Sequence, residues 1–204
     1  MRSLSWRVLQ SLVACSVLGV PAVAAQAAGQ ASQLPYVAAD VHFMTGMIGH
    51  HAQAVLIAGW APTHGASPSV VTLTERIVVG QQDEIALMER WLKARGQPVP
   101  GPATAHAGMP GMNHSAQMPG MLSPEQLDTL DRARGVEFDR LFLTYMIQHH
   151  RGAIVMVDEL FASQGAGQDE GTFRLASDIY ADQTTEIRRM EKMLAALPPA
   201  GTDP

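Results

Sequence analysis

The spacing of apolar residues along the chain predicts long helices. From Asp40 onward, apolar residues and histidines recur at three- and four-residue steps, the period of one helical face. The first stripe contains Phe43, Met47, His50, His51, Ala54, Ile57 and Ala58. After a break rich in Pro and Gly, the second stripe contains Val70, Leu73, Ile77, Gln81, Ile85, Met88 and Leu92. Because Gly96 and Pro98 end the pattern, we expect a helical hairpin over residues 40–97.

A second hairpin is predicted over residues 123–198, after a short helix that begins at Ser123 and Pro124. Its first stripe contains Phe138, Phe142, Met146, His149, His150, Ala153, Val157 and Leu160. Its second stripe contains Ala176, Ile179, Gln183, Ile187, Met190, Leu194 and Leu197. No strand pattern competes with these helices. Two hairpins with one apolar stripe per helix are best buried against each other, which predicts an all-α four-helix bundle.

The two hairpins are copies of one unit. Met47-Ile48-Gly49-His50-His51 recurs as Met146-Ile147-Gln148-His149-His150, at a constant offset of 99 residues. Farther along, the pattern Gln-x-x-Glu-Ile-x-x-Met at residues 81–88 recurs at residues 183–190. The offset there is 102, so the second copy has a longer internal loop. The chain is therefore an internal duplication.

The repeated Met and His residues predict a metal site. At ~100° per residue, Met47, His50 and His51 project over one patch of a helix. A thioether beside imidazoles suits Cu(I), Ag(I) or, with further ligands, Cu(II), whereas Zn(II) gains little from sulfur of this kind. The candidate ligands are Met44, Met47, His50, His51, Met88, Met146, His149, His150 and Met190. For Met88 and Met190, packing in the core is an equally good interpretation.

Polar residues on the second helix of each hairpin are expected to support these ligands. Hydrogen bonds to imidazole N–H groups would fix the tautomer that binds the metal. The candidates for this role are Gln81, Glu84, Gln183 and Glu186. Solvation at the surface is the alternative for the two Glu residues.

Residues 98–122 are predicted to be a linker, because their Pro and Gly content forbids a helix. Met and His are unusual residues for an exposed linker, since Met is prone to oxidation there. We expect this segment to capture Cu(I) or Ag(I), with a spacer of drifted composition as the alternative. The residues for this auxiliary capture are His106, Met109, Met112, His114, Met118 and Met121.

The N-terminal residues 1–28 are predicted to be an export signal. Arg2 and Arg7 precede an apolar run, and an Ala-rich stretch offers cleavage near residues 24–28. A flexible lead-in over residues 29–39 follows, and residues 199–204 form a tail. The expected location is periplasmic or secreted, with a lipoprotein anchored through Cys15 as the minor alternative. After cleavage the chain has no Cys, so soft-metal chemistry would depend on Met and His.

Composition excludes several functions. A net charge of −5 without clustered basic residues indicates neither nucleic acid nor an anionic membrane surface as a partner. The chain contains no GxSxG, phosphate-loop or HExxH motif, and a carboxylate di-iron oxidase would need Glu-x-x-His, which does not occur. We therefore expect no enzyme, and metal-dependent oxidoreduction is a lesser alternative. A structural or partner-binding bundle, whose His pairs pack or sense pH, is the other alternative.

The repeated pattern resembles a known family. Asp40, Phe43, Met47, the His pair and Ala54, followed by Gln-x-x-Glu-Ile-x-x-Met, are similar to the bacterial secreted family called domain of unknown function 305. This resemblance implies a ferritin-like bundle of two helical hairpins with the His pair as its hallmark. For some members it implies periplasmic copper or silver binding and tolerance. Metal ions and other periplasmic copper-handling proteins are the expected partners.

Overall fold

A computed structural model of the protein describes residues 35–101 and 118–199, which form five helices and contain no strand. The helices are α1 (Ala38–Ala58), α2 (Pro68–Ala94), α3 (Pro124–Arg132), α4 (Gly135–Ala162) and α5 (Glu170–Ala196). The predicted all-α fold is confirmed. The predicted export signal and four predicted linker ligands, His106, Met109, Met112 and His114, lie outside the described residues.

Capping side chains explain where two of the helices begin. Ser123 caps α3, because its hydroxyl accepts the Gln126 N–H (3.2 Å) while the Gln126 side chain accepts the Ser123 N–H (2.9 Å). Asp169 caps α5 by accepting the Thr172 N–H at 3.0 Å. Ser67 holds the N-cap position of α2, but its side chain makes no capping bond there.

The four long helices pack as two hairpins. Helix α1 packs against α2 and α4 against α5, while α1 and α4 make the main contact between the hairpins. The Tyr36 ring, just before α1, lies 5.3 Å from the Trp91 ring near the end of α2, so these helices are antiparallel. In the second hairpin, Arg140 near the start of α4 donates to the Pro198 carbonyl beyond α5. The predicted pair of duplicated hairpins is the observed architecture.

Two buried aspartates connect the hairpins reciprocally. Asp40, at the start of α1, accepts the N–H of Gly167 in the α4–α5 loop at 2.8 Å. Its counterpart in the repeat, Asp139 near the start of α4, accepts the N–H of Ser67 in the α1–α2 loop at 3.2 Å. Each hairpin thus holds the loop of the other, and α1 and α4 must run antiparallel.

The buried apolar side chains form two clusters. One contains Ala54 and Ile57 of α1 together with Met146 of α4, and the other contains Met47 of α1 together with Ala153 of α4. On α1 the His pair lies between Met47 of one cluster and Ala54 of the other. On α4 it lies between Met146 and Ala153, which also belong to different clusters. The core is therefore divided by a layer of imidazoles, which we call the histidine layer: His50, His51, His149 and His150.

We predict that Asp40→Ala lowers the free energy of unfolding by about 2–3 kcal/mol, because the buried Gly167 N–H loses a charged acceptor. Asp139→Ala should have a similar effect on the other loop. Urea denaturation measures both. The control is Asp83→Ala, at an exposed position on α2, which should change stability by less than about 0.5 kcal/mol. Equal effects at buried and exposed positions would contradict the role of the two loop contacts.

Candidate metal centre

The histidine layer brings both predicted His pairs together where α1 and α4 meet. All four side chains are fully buried. The rings of His50 and His149 face each other with centroids 3.9 Å apart and planes at 40°. His51 lies 6.2 Å from His50, and His150 lies 6.3 Å from His149. The duplication thus produces one shared cluster and not two separate sites.

Two glutamates hold the outer imidazoles. Glu84 of α2 accepts from His51 Nε2 at 2.8 Å, and Glu186 of α5 accepts from His150 Nε2 at 2.7 Å. The two pairs are equivalent in the repeat. The Nδ1 atoms of His51 and His150 are buried without a hydrogen-bond partner, so a proton there would lack an acceptor. A neutral ring that donates from Nε2 to the glutamate has its lone pair on Nδ1.

The inner imidazoles differ from each other. His50 Nε2 lies 3.1 Å from the carbonyl oxygen of Pro119, and because a carbonyl only accepts, Nε2 carries the proton. Neither nitrogen of His149 has a hydrogen-bond partner of normal length and angle within the described residues, and the backbone of His50 lies only near enough to oppose slightly the lowering of the His149 pKa by burial. One of its nitrogens must carry a proton, so the His149 ring has a buried donor and a buried acceptor that are both unpaired.

Burial keeps the inner imidazoles neutral. It lowers the pKa of His50 to about 3, and the nearby His51 acts in the same direction. Burial likewise lowers the pKa of His149 well below its ordinary value, with His50 and His150 adding to the effect. Because neutral imidazole is the form that binds a metal ion, these two rings need lose no proton at neutral pH.

Gln81 and Gln183 are buried beside the layer but do not take the expected position. Neither side-chain polar atom of Gln81, nor Oε1 of Gln183, has a hydrogen-bond partner in the described part of the chain. The expected bond from Gln81 to an imidazole N–H is not formed. Glu84, Glu186 and the Pro119 carbonyl accept the N–H groups of His51, His150 and His50, while the N–H of His149 has no partner.

Unpaired buried polar atoms are concentrated in this one region. Apart from Nε of Arg95 and Nε of Arg140, every such side-chain atom among the described residues belongs to the four His or to Gln81 and Gln183. Native proteins usually pair buried polar groups with protein, water or an ion, because each unpaired group costs about 1–3 kcal/mol. The layer is therefore the place in the described part of the chain where an ordered water or an ion would pair the most buried polar atoms.

The predicted methionine ligands are all fully buried, on both sides of the layer. Met44, Met47 and Met88 belong to one apolar cluster, and Met146 and Met190 to the other. Within residues 35–101 and 118–199, no group of three or more His, Cys, Asp or Glu side chains is arranged to hold a metal ion.

Carboxylates surround the outer edge of the layer. The side chains of Glu84 and Glu186 are 13% and 24% exposed. Partial burial and the neighbouring Glu84 and Glu186 raise the pKa of Asp182 on α5, so the three groups lie close together. Asp182 was missed in the sequence, although it precedes Glu186 by one helical turn. This negative charge favours a cation at the layer.

Residues 118–122, here called the strap, pack across α1 and α4 although the sequence predicted a flexible linker. The Gln53 side chain donates to the Leu122 carbonyl (3.2 Å) and accepts the Leu122 N–H (2.8 Å). The strap contains the predicted linker residues Met118 and Met121 and the Pro119 carbonyl that binds His50. The roles of Gln53 and Pro119 were missed, and the buried polar Gln53 in an apolar stripe was the available signal.

Gly152 of α4 permits the close approach of the strap. A Cβ atom at this position would lie 2.0 Å from the Pro119 oxygen and 2.6 Å from Gly120 Cα. Gly152 is the repeat counterpart of Gln53 at the offset of 99 residues. At equivalent positions of the repeat, Gln53 on α1 binds the strap through hydrogen bonds, whereas Gly152 on α4 leaves room for it.

The fold and the site define a class of protein: a duplicated helical-hairpin protein with a buried histidine layer between methionine-containing clusters. Residues 40–194 match the family model described as Domain of unknown function (DUF305), and the chain belongs to this family. The resemblance inferred from the repeated motifs is confirmed.

Solved structures show the same fold. A DUF305 fragment from Deinococcus radiodurans is 31% identical, with a TM-score of 0.67 over 80% of this chain and 99% of that one. A candidate secreted DUF305 protein from Streptomyces coelicolor is 27% identical, with a TM-score of 0.64 over 77% and 92%. CopM in its Cu(II)-bound form is 28% identical, with a TM-score of 0.60 over 76% and 95%. CopM has also been solved in Cu(I)- and Ag-bound forms.

No curated protein matches the chain. Among the described residues, none of the helices is both long enough and apolar enough to span a membrane.

We predict that Gly152→Ala displaces the strap and destabilises the protein by about 2–4 kcal/mol, because the new methyl group overlaps the Pro119 carbonyl and His50 loses its acceptor. Urea denaturation measures the stability, and ¹⁵N chemical shifts of the imidazoles report the loss of the fixed His50 tautomer. The matched control is Gly80→Ala on α2, where a Cβ atom meets nothing within 4 Å. This change should be neutral or stabilising by up to about 1 kcal/mol. If both variants behave alike, the strap does not position His50.

Proposed function

We propose that this protein is a non-enzymatic copper- and silver-binding protein that holds Cu(I), and also Ag(I) or Cu(II), at the histidine layer. The observation that supports this most is the set of buried imidazole nitrogens without partners, which includes both nitrogens of His149. Four imidazoles placed between apolar clusters are costly to bury unless a ligand uses their lone pairs.

The proposed ligands are drawn from the nitrogens of His50, His51, His149 and His150 and from the sulfurs of Met47 and Met146. Since no three His or carboxylate side chains of the described residues are grouped around one point, an ion would take two of the imidazoles together with thioether sulfur. Met44, Met88 and Met190 are further candidate thioethers. Glu84 and Glu186 hold the outer rings with Nε2 protonated, which leaves Nδ1 for the metal. Such carboxylate–histidine pairs orient metal ligands and raise their basicity.

Copper or silver is favoured by the kind of donor. Thioether sulfur and neutral imidazole suit soft and borderline ions, whereas iron centres on comparable bundles use Glu-x-x-His, which this chain lacks. CopM, at 26–28% identity, has been solved with Cu(I), Cu(II) and Ag. The likeness supports the same ions for this chain.

The proposed role is a periplasmic or secreted buffer or carrier that contributes to metal tolerance. Export by residues 1–28 would place the chain in an oxidising compartment, where Met and His remain available as ligands when thiols are lost. The linker residues His106, Met109, Met112, His114, Met118 and Met121 would assist capture. Other copper-handling proteins in that compartment are the proposed partners for transfer.

We predict that His149→Ala combined with His150→Ala weakens Cu(I) binding by at least about 10- to 100-fold, because two proposed ligands are removed. A competition titration with a chromophoric Cu(I) chelator, under reducing conditions, measures the affinity. The matched control removes two histidines of the linker, His106→Ala with His114→Ala, and should have a smaller effect.

Equal losses in the two double variants would argue against ligands in the layer. Circular dichroism checks that each variant retains its helices. If removal of the two buried imidazoles unfolds the chain, His149→Gln with His150→Gln preserves more of the side-chain volume and serves in its place. Tight Cu(I) binding that survives in a folded His149/His150 variant would refute the proposal.

A further inference from the structure

Two partly buried methionines converge outside the histidine layer. Met118 belongs to the strap and Met156 to α4, and neither belongs to the fully buried core. A Cβ atom placed on Gly46 of α1 would lie 3.7 Å from Met118 Sδ and 3.4 Å from Met156 Cε. Both thioether ends therefore occupy the space above one glycine.

The two methionines fill the space above Gly46 and Gly49 on the surface of α1. Met118 runs along the helix, since its Cε would lie 3.8 Å from a Cβ atom on Gly49 while its sulfur lies over Gly46. Because neither position has a side chain, the two thioethers pack close to the α1 backbone, and methionine has three rotatable bonds with which to adjust. A modest change of rotamer can bring both sulfur atoms toward one point.

The residues around the two methionines differ between the two copies of the repeat. At the offset of 99, Gly46 and Gly49 correspond to Tyr145 and Gln148, and Met156 corresponds to Ile57. Ile57 is fully buried in the core, whereas Met156 is only partly buried. Met156 packs only against the edge of the apolar cluster that contains Met47, where a residue with one face toward solvent suffices. The methionine pair exists on one side of the bundle only.

We propose that Met118 and Met156 form a second binding site, which takes a soft monovalent cation, Cu(I) or Ag(I), through its two thioether sulfurs. Thioethers are neutral, soft donors that select Cu(I)-like ions over Zn(II) or Mg(II). The ion binds and leaves without a change of oxidation state. Unlike the histidine layer, the site lies where solvent reaches both side chains.

The position of the site gives it a function in loading. Met118 is directly followed by Pro119, whose carbonyl holds His50. An ion captured by the two sulfurs therefore sits beside the strap that covers the inner imidazole. The loading role rests on the proposed function of the layer, whereas binding at Met118 and Met156 does not depend on it.

The test is a titration with Ag(I), followed by ¹H–¹³C spectra of the protein labelled at its methionine methyl groups. Met118→Leu and Met156→Leu assign the two signals. We expect both methyl signals to shift together, in the wild type and in the His149→Ala, His150→Ala variant. The combined Met118→Leu, Met156→Leu variant should bind one equivalent less Ag(I), measured by equilibrium dialysis.

Met193→Leu is the matched control, because Met193 is a partly buried methionine that packs against the other apolar cluster. It should leave the amount of bound Ag(I) unchanged. Shifts confined to linker or core methionines, or a shift of Met118 without Met156, would overturn the second site. If Met118 and Met156 respond while the imidazole signals of the wild type do not, the histidine layer fails as a metal site and the thioether site stands.

Discussion

The burial of four imidazoles between two apolar clusters is the constraint on which the rest of this structure depends. Polar rings inside a bundle are costly unless their nitrogens find partners. Glu84, Glu186 and the Pro119 carbonyl supply three such partners, each from an element other than α1 or α4. The second helix of each hairpin and the strap are therefore needed to complete the layer. The partners remain too few, and the unpaired nitrogens of His149 are the clearest sign of this.

Burial and function are connected through protonation. The desolvation that makes the layer costly also lowers the pKa of His50 and His149, which leaves neutral rings with available lone pairs. The carboxylates around Asp182 add negative charge outside the layer without entering it. An arrangement of this kind lowers the free energy of unfolding in order to form a binding site, as is common in proteins. The duplication supplies four imidazoles from one short motif, and the strap then makes the two halves unequal.

Helix periodicity and the repeat predicted much of this in advance, because both act over short distances in the chain. The apolar stripes, the Ser123 cap and the expectation that Glu84 and Glu186 support imidazoles came from local spacing or from repetition. The contacts that order the strap cannot be read from local spacing or from repetition. Gln53 meets Leu122 and Gly152 meets Pro119 only after α1 and α4 have packed, and an aperiodic Pro- and Gly-rich segment carries no signal of its partners. For the same reason the sequence could not show that the Pro119 carbonyl would accept from His50.

X-ray absorption spectroscopy at the copper edge, on the protein loaded with one equivalent of Cu(I), tests the central claim most directly. The account predicts the multiple-scattering pattern of imidazole ligands, together with sulfur at thioether distance, and the loss of the imidazole pattern in the His149→Ala, His150→Ala variant. A spectrum with sulfur ligands alone, or an imidazole pattern that persists unchanged in that variant, would contradict a metal centre in the histidine layer.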